Sequence, residues 1–165
     1  SVATEEEAAF IRPMEAQIQL PVSLEAIARG REHLDRRNAD PELMAKFEAG
    51  MFDTSRSPWS RLGAFDPVER SHALDVLGFE GQIVLGTFSF HQIAHEDDPK
   101  ALEVGARVYN RAMGRFCAHD ERLLAGGYVP LSLGPEIAGA LLDEAFTDGC
   151  YTVMLDTNED RKSVV

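Results

Sequence analysis

The stretch Gln82-Ile-Val-Leu-Gly-Thr-Phe88 begins a segment, residues 82–158, in which short apolar runs alternate with helical patterns. The second apolar run is Arg122-Leu-Leu-Ala-Gly-Gly-Tyr-Val-Pro-Leu131, and the third is Cys150-Tyr-Thr-Val-Met-Leu-Asp156. Runs of this length predict strands, and helical stretches between them predict crossovers that join parallel strands. The sequence therefore predicts an α/β fold with about three parallel strands, near residues 82–87, 123–130 and 150–155.

The segments that connect these runs carry the marks of amphipathic helices. One begins at Pro99 and has apolar residues at spacings of three and four, and another opens at Pro135. Residues 89–98 are polar and are predicted to form a loop. The carboxylates of Asp97 and Asp98 at the end of that loop are explained by capping of the helix that follows.

The residues before the first strand predict helices with well-marked ends. Thr4 and Glu7 have the spacing of a capping box, Asp40 precedes a helix, and Asp66 precedes another helix that Gly78 ends. We expect one structural unit with three parts: a helical lead-in and loop over residues 1–60, βα units over 61–158, and a tail over 159–165.

Composition restricts the partners that the chain could have. The formal net charge is -12, and such a surface repels phosphate backbones and anionic lipid, so we expect neither nucleic acid nor membrane as a partner. No apolar run approaches the roughly 18 residues that span a bilayer. The acidic start lacks the pattern of a signal peptide, and Cys117 and Cys150 are predicted to be buried free thiols. Together these features favour a cytoplasmic protein.

Candidate site residues follow from the position of the strands. In parallel α/β folds the reactive groups lie at the carboxyl ends of the strands. That rule selects Thr87, Phe88, Ser89, His91, Leu131, Ser132, Asp156 and Asn158. His91 and His95 would share one face of a helix, but two histidines need a third ligand to hold a metal, and a solvated polar loop is the favoured interpretation.

Several familiar catalytic patterns are missing from the sequence. No glycine-rich phosphate loop opens a helix after a strand, and no Gly-x-Ser-x-Gly elbow occurs. Gln92 stands where a zinc peptidase would need glutamate between two histidines. The residues alone therefore indicate no catalytic constellation.

Three stretches together resemble the amidohydrolase-related metal-dependent hydrolases, the relatives of aminocarboxymuconate semialdehyde decarboxylase. The first is Gly63-Ala-Phe-Asp-Pro-Val-Glu-Arg70, which runs into Leu74-Asp75-Val-Leu-Gly78. The second contains Tyr109-Asn110-Arg111, Phe116-Cys117, Arg122-Leu123 and Tyr128-Val-Pro130. The third contains Glu136-Ile-Ala138, Glu144-Ala145 and Gly149. The resemblance covers about residues 60–158.

The resemblance implies a (β/α)8 TIM barrel and a hydrolase or non-oxidative decarboxylase that acts on a small carboxylated or cyclic substrate. It implies one divalent metal, expected to be zinc, which activates water or polarises a substrate carboxylate. The family's metal ligands include a His-x-His pair, further histidines and an aspartate. This chain has no His-x-His, and Asp156 follows the wrong strand. We therefore expect no metal within these residues.

By this resemblance the three predicted strands are barrel strands two, three and four. A full barrel needs about 250 residues, so we expect the chain to be an interior portion of the family fold. Phe88, His91 and Asn158 are expected to line the substrate pocket. Exposed strand edges and an uncovered apolar face predict a homo-oligomer, or association with the rest of the barrel.

Two alternatives remain open at this stage. One is a complete small α/β binding or interaction module without catalysis, in which the helical lead-in covers one face of the sheet. The other is a catalytically inactive family member that is retained for assembly.

Overall fold

The computed structural model describes residues 2–16, 24–50 and 63–155. These contain helices α1 (Glu5–Ala16), α2 (Leu24–Ala39), α3 (Pro41–Ala49), α4 (Pro67–Leu77), α5 (Thr87–Ala94), α6 (Pro99–Cys117) and α7 (Pro135–Thr147). The strands are β1 (Gln82–Val84), β2 (Leu123–Val129) and β3 (Thr152–Leu155), and a 3₁₀ turn over Leu131–Leu133 follows β2.

The helix caps predicted from the sequence are confirmed. The backbone N–H of Thr4 donates to the Glu7 carboxylate at 2.8 Å, and the N–H of Glu7 donates to the Thr4 hydroxyl at 3.2 Å. Asp66 accepts from the N–H of Glu69 at 2.9 Å, and Gly78 ends α4 with φ 69°, the left-handed conformation that favours glycine. These local signals fix where the helices begin and end.

The three strands form one parallel sheet in the order β1-β2-β3. Gly126 of β2 is opposite Thr152 of β3, and the register continues to Val129 opposite Leu155. The first strand ends at Val84, three residues before the predicted end. The predicted α/β class with a parallel sheet is confirmed.

Helices α6 and α7 lie on one face of this sheet. Helix α6 packs against both β2 and α7, and α7 packs against β2 and β3. The Arg107 guanidinium on α6 reaches the Glu144 carboxylate on α7. Along α6 the apolar stripe is buried as its spacing predicts, and Leu102, Val108 and Tyr109 are each less than a tenth exposed. The core of this unit therefore lies between α6 and β2.

The prediction that residues 89–98 form a loop is wrong for residues 89–94, which belong to helix α5 (Thr87–Ala94), and is confirmed for residues 95–98. The side chain of Ile93 is buried, and the Phe90 ring packs edge-on against the Tyr128 ring with 5.0 Å between centroids. Of the polar residues of α5, Thr87, Ser89 and His91 are exposed and Gln92 is partly buried. Tertiary packing of two apolar side chains thus outweighs the polar composition of the segment.

Contacts divide the chain into two compact units, residues 1–18 with 83–165, and residues 19–82. The sequence division at residue 60 groups α1 with the other lead-in helices, whereas α1 packs against α6. Arg111 of α6 donates to both carboxylate oxygens of Glu7, at 3.1 Å each, and to the Val2 carbonyl at 2.8 Å. An ion pair therefore joins α1 to α6 within the unit that contains the sheet.

The second unit contains α2, α3 and α4, and a buried ion pair lies inside it. Arg37 of α2 donates through Nε to the Glu69 carboxylate of α4 at 2.7 Å, and both side chains are almost fully buried. The N–H of Gly63 donates to the same carboxylate at 2.7 Å, and the Arg37 guanidinium lies 4.6 Å from the centroid of the Phe47 ring. These hydrogen bonds satisfy the buried charges.

Candidate functional site

The structure describes the segments that follow the carboxyl ends of β1 and β2. After β1 the chain passes through Leu85 and Gly86 and enters α5 directly. After β2 it passes through Pro130 into the 3₁₀ turn, where Leu131 and Ser132 are exposed. The residues after β3 lie outside the described part of the chain, so Asp156 is not placed.

Two of the three predicted pocket residues lie on α5. Phe88 is in its first turn, and its side chain is not among those described. His91 follows three residues later, one turn along the helix, and its side chain is exposed. Asn158 lies outside the described residues. The structure therefore places Phe88 and His91 on one element, and their role in a pocket stays a prediction.

His91 and His95 are neighbours because their segment is helical. Their ring centroids are 4.2 Å apart, and His95 Nδ1 donates to the His91 carbonyl oxygen at 2.7 Å. A carbonyl oxygen can only accept, so Nδ1 carries the proton in this hydrogen bond. Within residues 2–16, 24–50 and 63–155, no group of three or more His, Cys, Asp or Glu side chains could hold a metal.

Helix α5 is held at the strand ends by two aromatic side chains that the site prediction missed. The Tyr128 side chain of β2 is only 1% exposed, and the Phe90 ring of α5 packs edge-on against its ring. The Tyr109 hydroxyl of α6 accepts from the N–H of Gly86, the residue before α5, at 3.0 Å. Burial raises the pKa of the Tyr109 phenol, so the hydroxyl stays protonated near neutral pH.

Asn110 joins α6 to the end of β2. Its side-chain amide donates to the Tyr128 carbonyl at 3.0 Å, and its side-chain oxygen accepts from the Tyr128 N–H at 2.6 Å. A Cβ atom on Gly127 would lie 2.9 Å from that oxygen and 2.9 Å from the sulfur of Cys150. Helix and strand thus approach closely, and only a residue without a side chain fits at Gly127.

The two cysteines are buried and free, as predicted. The Cys150 thiol donates to the Asn110 carbonyl oxygen at 3.5 Å. Burial raises the pKa of Cys150 to about 11, and Asp148 and Cys117 contribute in the same direction. A thiol that stays protonated is a poor nucleophile and a poor metal ligand, so Cys150 has a packing role.

The face of the sheet away from α6 carries exposed apolar side chains at β1, whereas Tyr128 of β2 on the same face is buried. Side chains alternate along a strand, so the face opposite Gly127 carries Gly126, where a Cβ would lie 2.3 Å from the Leu85 side chain. On β1 and just after it, Ile83 is 55% exposed and Leu85 is 47% exposed, whereas Val84 between them is buried. The strand thus presents branched apolar side chains to the uncovered face.

None of the helices described, in residues 2–16, 24–50 and 63–155, is long and apolar enough to cross a membrane. Comparisons of this chain with protein-family models, with curated proteins and with solved structures give no match.

Proposed function

We propose that this chain is a portion of a metal-dependent enzyme of the amidohydrolase-related type, and that its sheet is an arc of a (β/α)8 barrel. The observation that carries the proposal is the strand order β1-β2-β3, with α6 and α7 packed against one face. Strands of a barrel are neighbours in chain order, and so are the three strands on one side of the switch point in a doubly wound sheet. The order is therefore compatible with a barrel arc, and the resemblance of residues 60–158 is what favours the barrel over half of a doubly wound sheet.

The uncovered face of the sheet also supports a barrel arc. Barrel interiors are filled by layers of branched apolar side chains, and Ile83 and Leu85 are of that type. In a closed barrel they would be buried by side chains from strands across the interior. Their exposure, 55% and 47%, is therefore expected to create a surface on which the chain associates with further chains.

The proposed reaction is hydrolysis or non-oxidative decarboxylation of a small carboxylated or cyclic substrate. Phe88, His91 and Asn158 are proposed to line the substrate pocket at the carboxyl ends of the strands. The described residues do not complete a metal site, since His91 and His95 have no third donor among them. The metal ligands are therefore proposed to come from strands other than β1, β2 and β3.

The open reading frame that encodes these residues tests the enzymatic part of the proposal. We expect a His-x-His pair upstream of residue 1, and a histidine and an aspartate downstream of residue 165. Zinc in the purified 165-residue chain, measured by elemental analysis, is expected to be well below one atom per chain. A frame without these residues, or stoichiometric zinc in this chain, would contradict the assignment of the ligands.

Size-exclusion chromatography with light scattering tests the barrel arc separately. We expect the wild-type chain to be larger than a monomer, and the double substitution Ile83→Glu with Leu85→Glu to shift it towards a monomer. The control is Phe146→Glu, because Phe146 is 51% exposed on α7 and should not take part. A wild-type chain that is a monomer at every concentration would contradict the arc.

A further inference from the structure

A cleft lies between α1, α5 and α6, all within the unit that contains the sheet. Its volume is about 230 Å³. The side chains that form its apolar walls include Ile11 of α1, Ile93 of α5, and Val108, Tyr109 and Met113 of α6. Ser89 and Gln92 add polar groups, and the described residues that line the cleft include none with a charge.

Tyr109, which lines this cleft, has a hydroxyl group with an unused donor. Tyr109 is 4% exposed, and its oxygen accepts from the N–H of Gly86, which also lines the cleft. That hydrogen bond uses a lone pair and leaves the hydroxyl proton without an acceptor among the described residues. A buried donor without a partner costs free energy, so an acceptor in the cleft would stabilise the protein.

The geometry points to a binding site for a small neutral ring compound that carries a hydrogen-bond acceptor, such as a ketone oxygen, which receives the Tyr109 proton. A dry apolar cavity of about 150 Å³ holds benzene, so the larger volume here leaves room for a ring with one short substituent. An anion is disfavoured, because its charge would be desolvated without a cation. The site is independent of the proposed metal chemistry, and either can fail alone.

A pair of matched probes tests this site on the 165-residue chain. Acetophenone carries a ketone oxygen, and ethylbenzene has nearly the same shape without an acceptor. Dissociation constants from ligand-observed NMR titrations are compared for wild type and Tyr109→Phe. We expect the substitution to weaken acetophenone about fivefold, the value of one neutral hydrogen bond, and to leave ethylbenzene unchanged.

Two further variants locate the site and keep the test decisive if Tyr109→Phe disturbs the fold. Ala112→Leu fills the cleft and is expected to weaken both probes by more than about tenfold. Tyr151→Phe removes a hydroxyl from a tyrosine that is 65% exposed and is expected to change neither. The proposal is overturned if neither probe binds saturably, if Tyr109→Phe affects both probes equally, or if Ala112→Leu affects neither.

Discussion

The substitution Asn110→Leu should destabilise the sheet unit strongly, because Asn110 satisfies two backbone groups of Tyr128 at once. Asn110 and Tyr128 are each 1% exposed, so water cannot replace the lost hydrogen bonds. Leaving a buried polar group unsatisfied costs about 1–3 kcal/mol, and two groups are left here. Leucine also places a methyl group against Gly127. We expect a loss of about 3 kcal/mol, a large part of the 5–15 kcal/mol typical of a domain.

Hydrogen exchange at the Tyr128 amide reports this loss locally. In the wild type that N–H donates to Asn110 Oδ1 at 2.6 Å and should exchange only through opening of the sheet unit. A loss of about 3 kcal/mol corresponds to exchange that is more than a hundredfold faster, at 1.4 kcal/mol for each factor of ten. Urea denaturation, followed by circular dichroism, gives the accompanying change in the free energy of unfolding.

The matched control is Asn38→Leu, because Asn38 is exposed on α2 in the other unit. It should change stability by less than about 0.5 kcal/mol, as surface substitutions usually do. The reasoning is refuted if Asn110→Leu behaves like this control and the Tyr128 amide keeps its protection. That result would mean that the two hydrogen bonds are not made in solution.

Two further predictions concern ion pairs. Glu69→Ala leaves the Arg37 guanidinium buried without its carboxylate and removes the acceptor of the Gly63 N–H. Urea denaturation should therefore show that the free energy of unfolding of the unit of residues 19–82 falls by about 3–5 kcal/mol. A decrease below about 1 kcal/mol would contradict the buried pair. Hydrogen bonding to Arg111 lowers the pKa of Glu7 from 4.5 to about 2, so the stabilisation by this pair is present above pH 4.5 and is lost as pH falls towards 2. The difference in melting temperature between wild type and Glu7→Gln should therefore shrink over that pH range, and a constant difference would count against the pair.

Local signals in the sequence predicted the elements of this fold well. The capping box at Thr4 and the left-handed conformation of Gly78 depend only on a few neighbouring residues. The sequence alone therefore predicts these helix ends. The strands were recognised because both faces of a parallel strand are apolar. The wrong prediction at α5 has a long-range cause, because Phe90 packs against Tyr128, which lies 38 positions later in the chain.

The candidate site was less predictable, because its geometry depends on long-range pairing. The hydrogen bond from Gly86 to Tyr109 and the two bonds between Asn110 and Tyr128 link residues that no periodicity connects. Position at a strand end drew attention to the segment that contains His91. It could not indicate that the segment is a helix anchored by aromatic side chains. The barrel, the metal and the substrate rest on the resemblance and stay predictions.

The glycine pair at the centre of β2 has a mechanical consequence. Neither Gly126 nor Gly127 can accept a methyl group without displacing a neighbouring side chain, which is Leu85 at Gly126 and Asn110 or Cys150 at Gly127. Next to this glycine pair, the Asn110 side chain donates to the Tyr128 carbonyl oxygen and accepts from the Tyr128 N–H. Helix α6 therefore cannot slide along β2 without breaking both hydrogen bonds. The contact fixes the register of the helix against the strand, just as the sheet pairing fixes the register of β2 against β3.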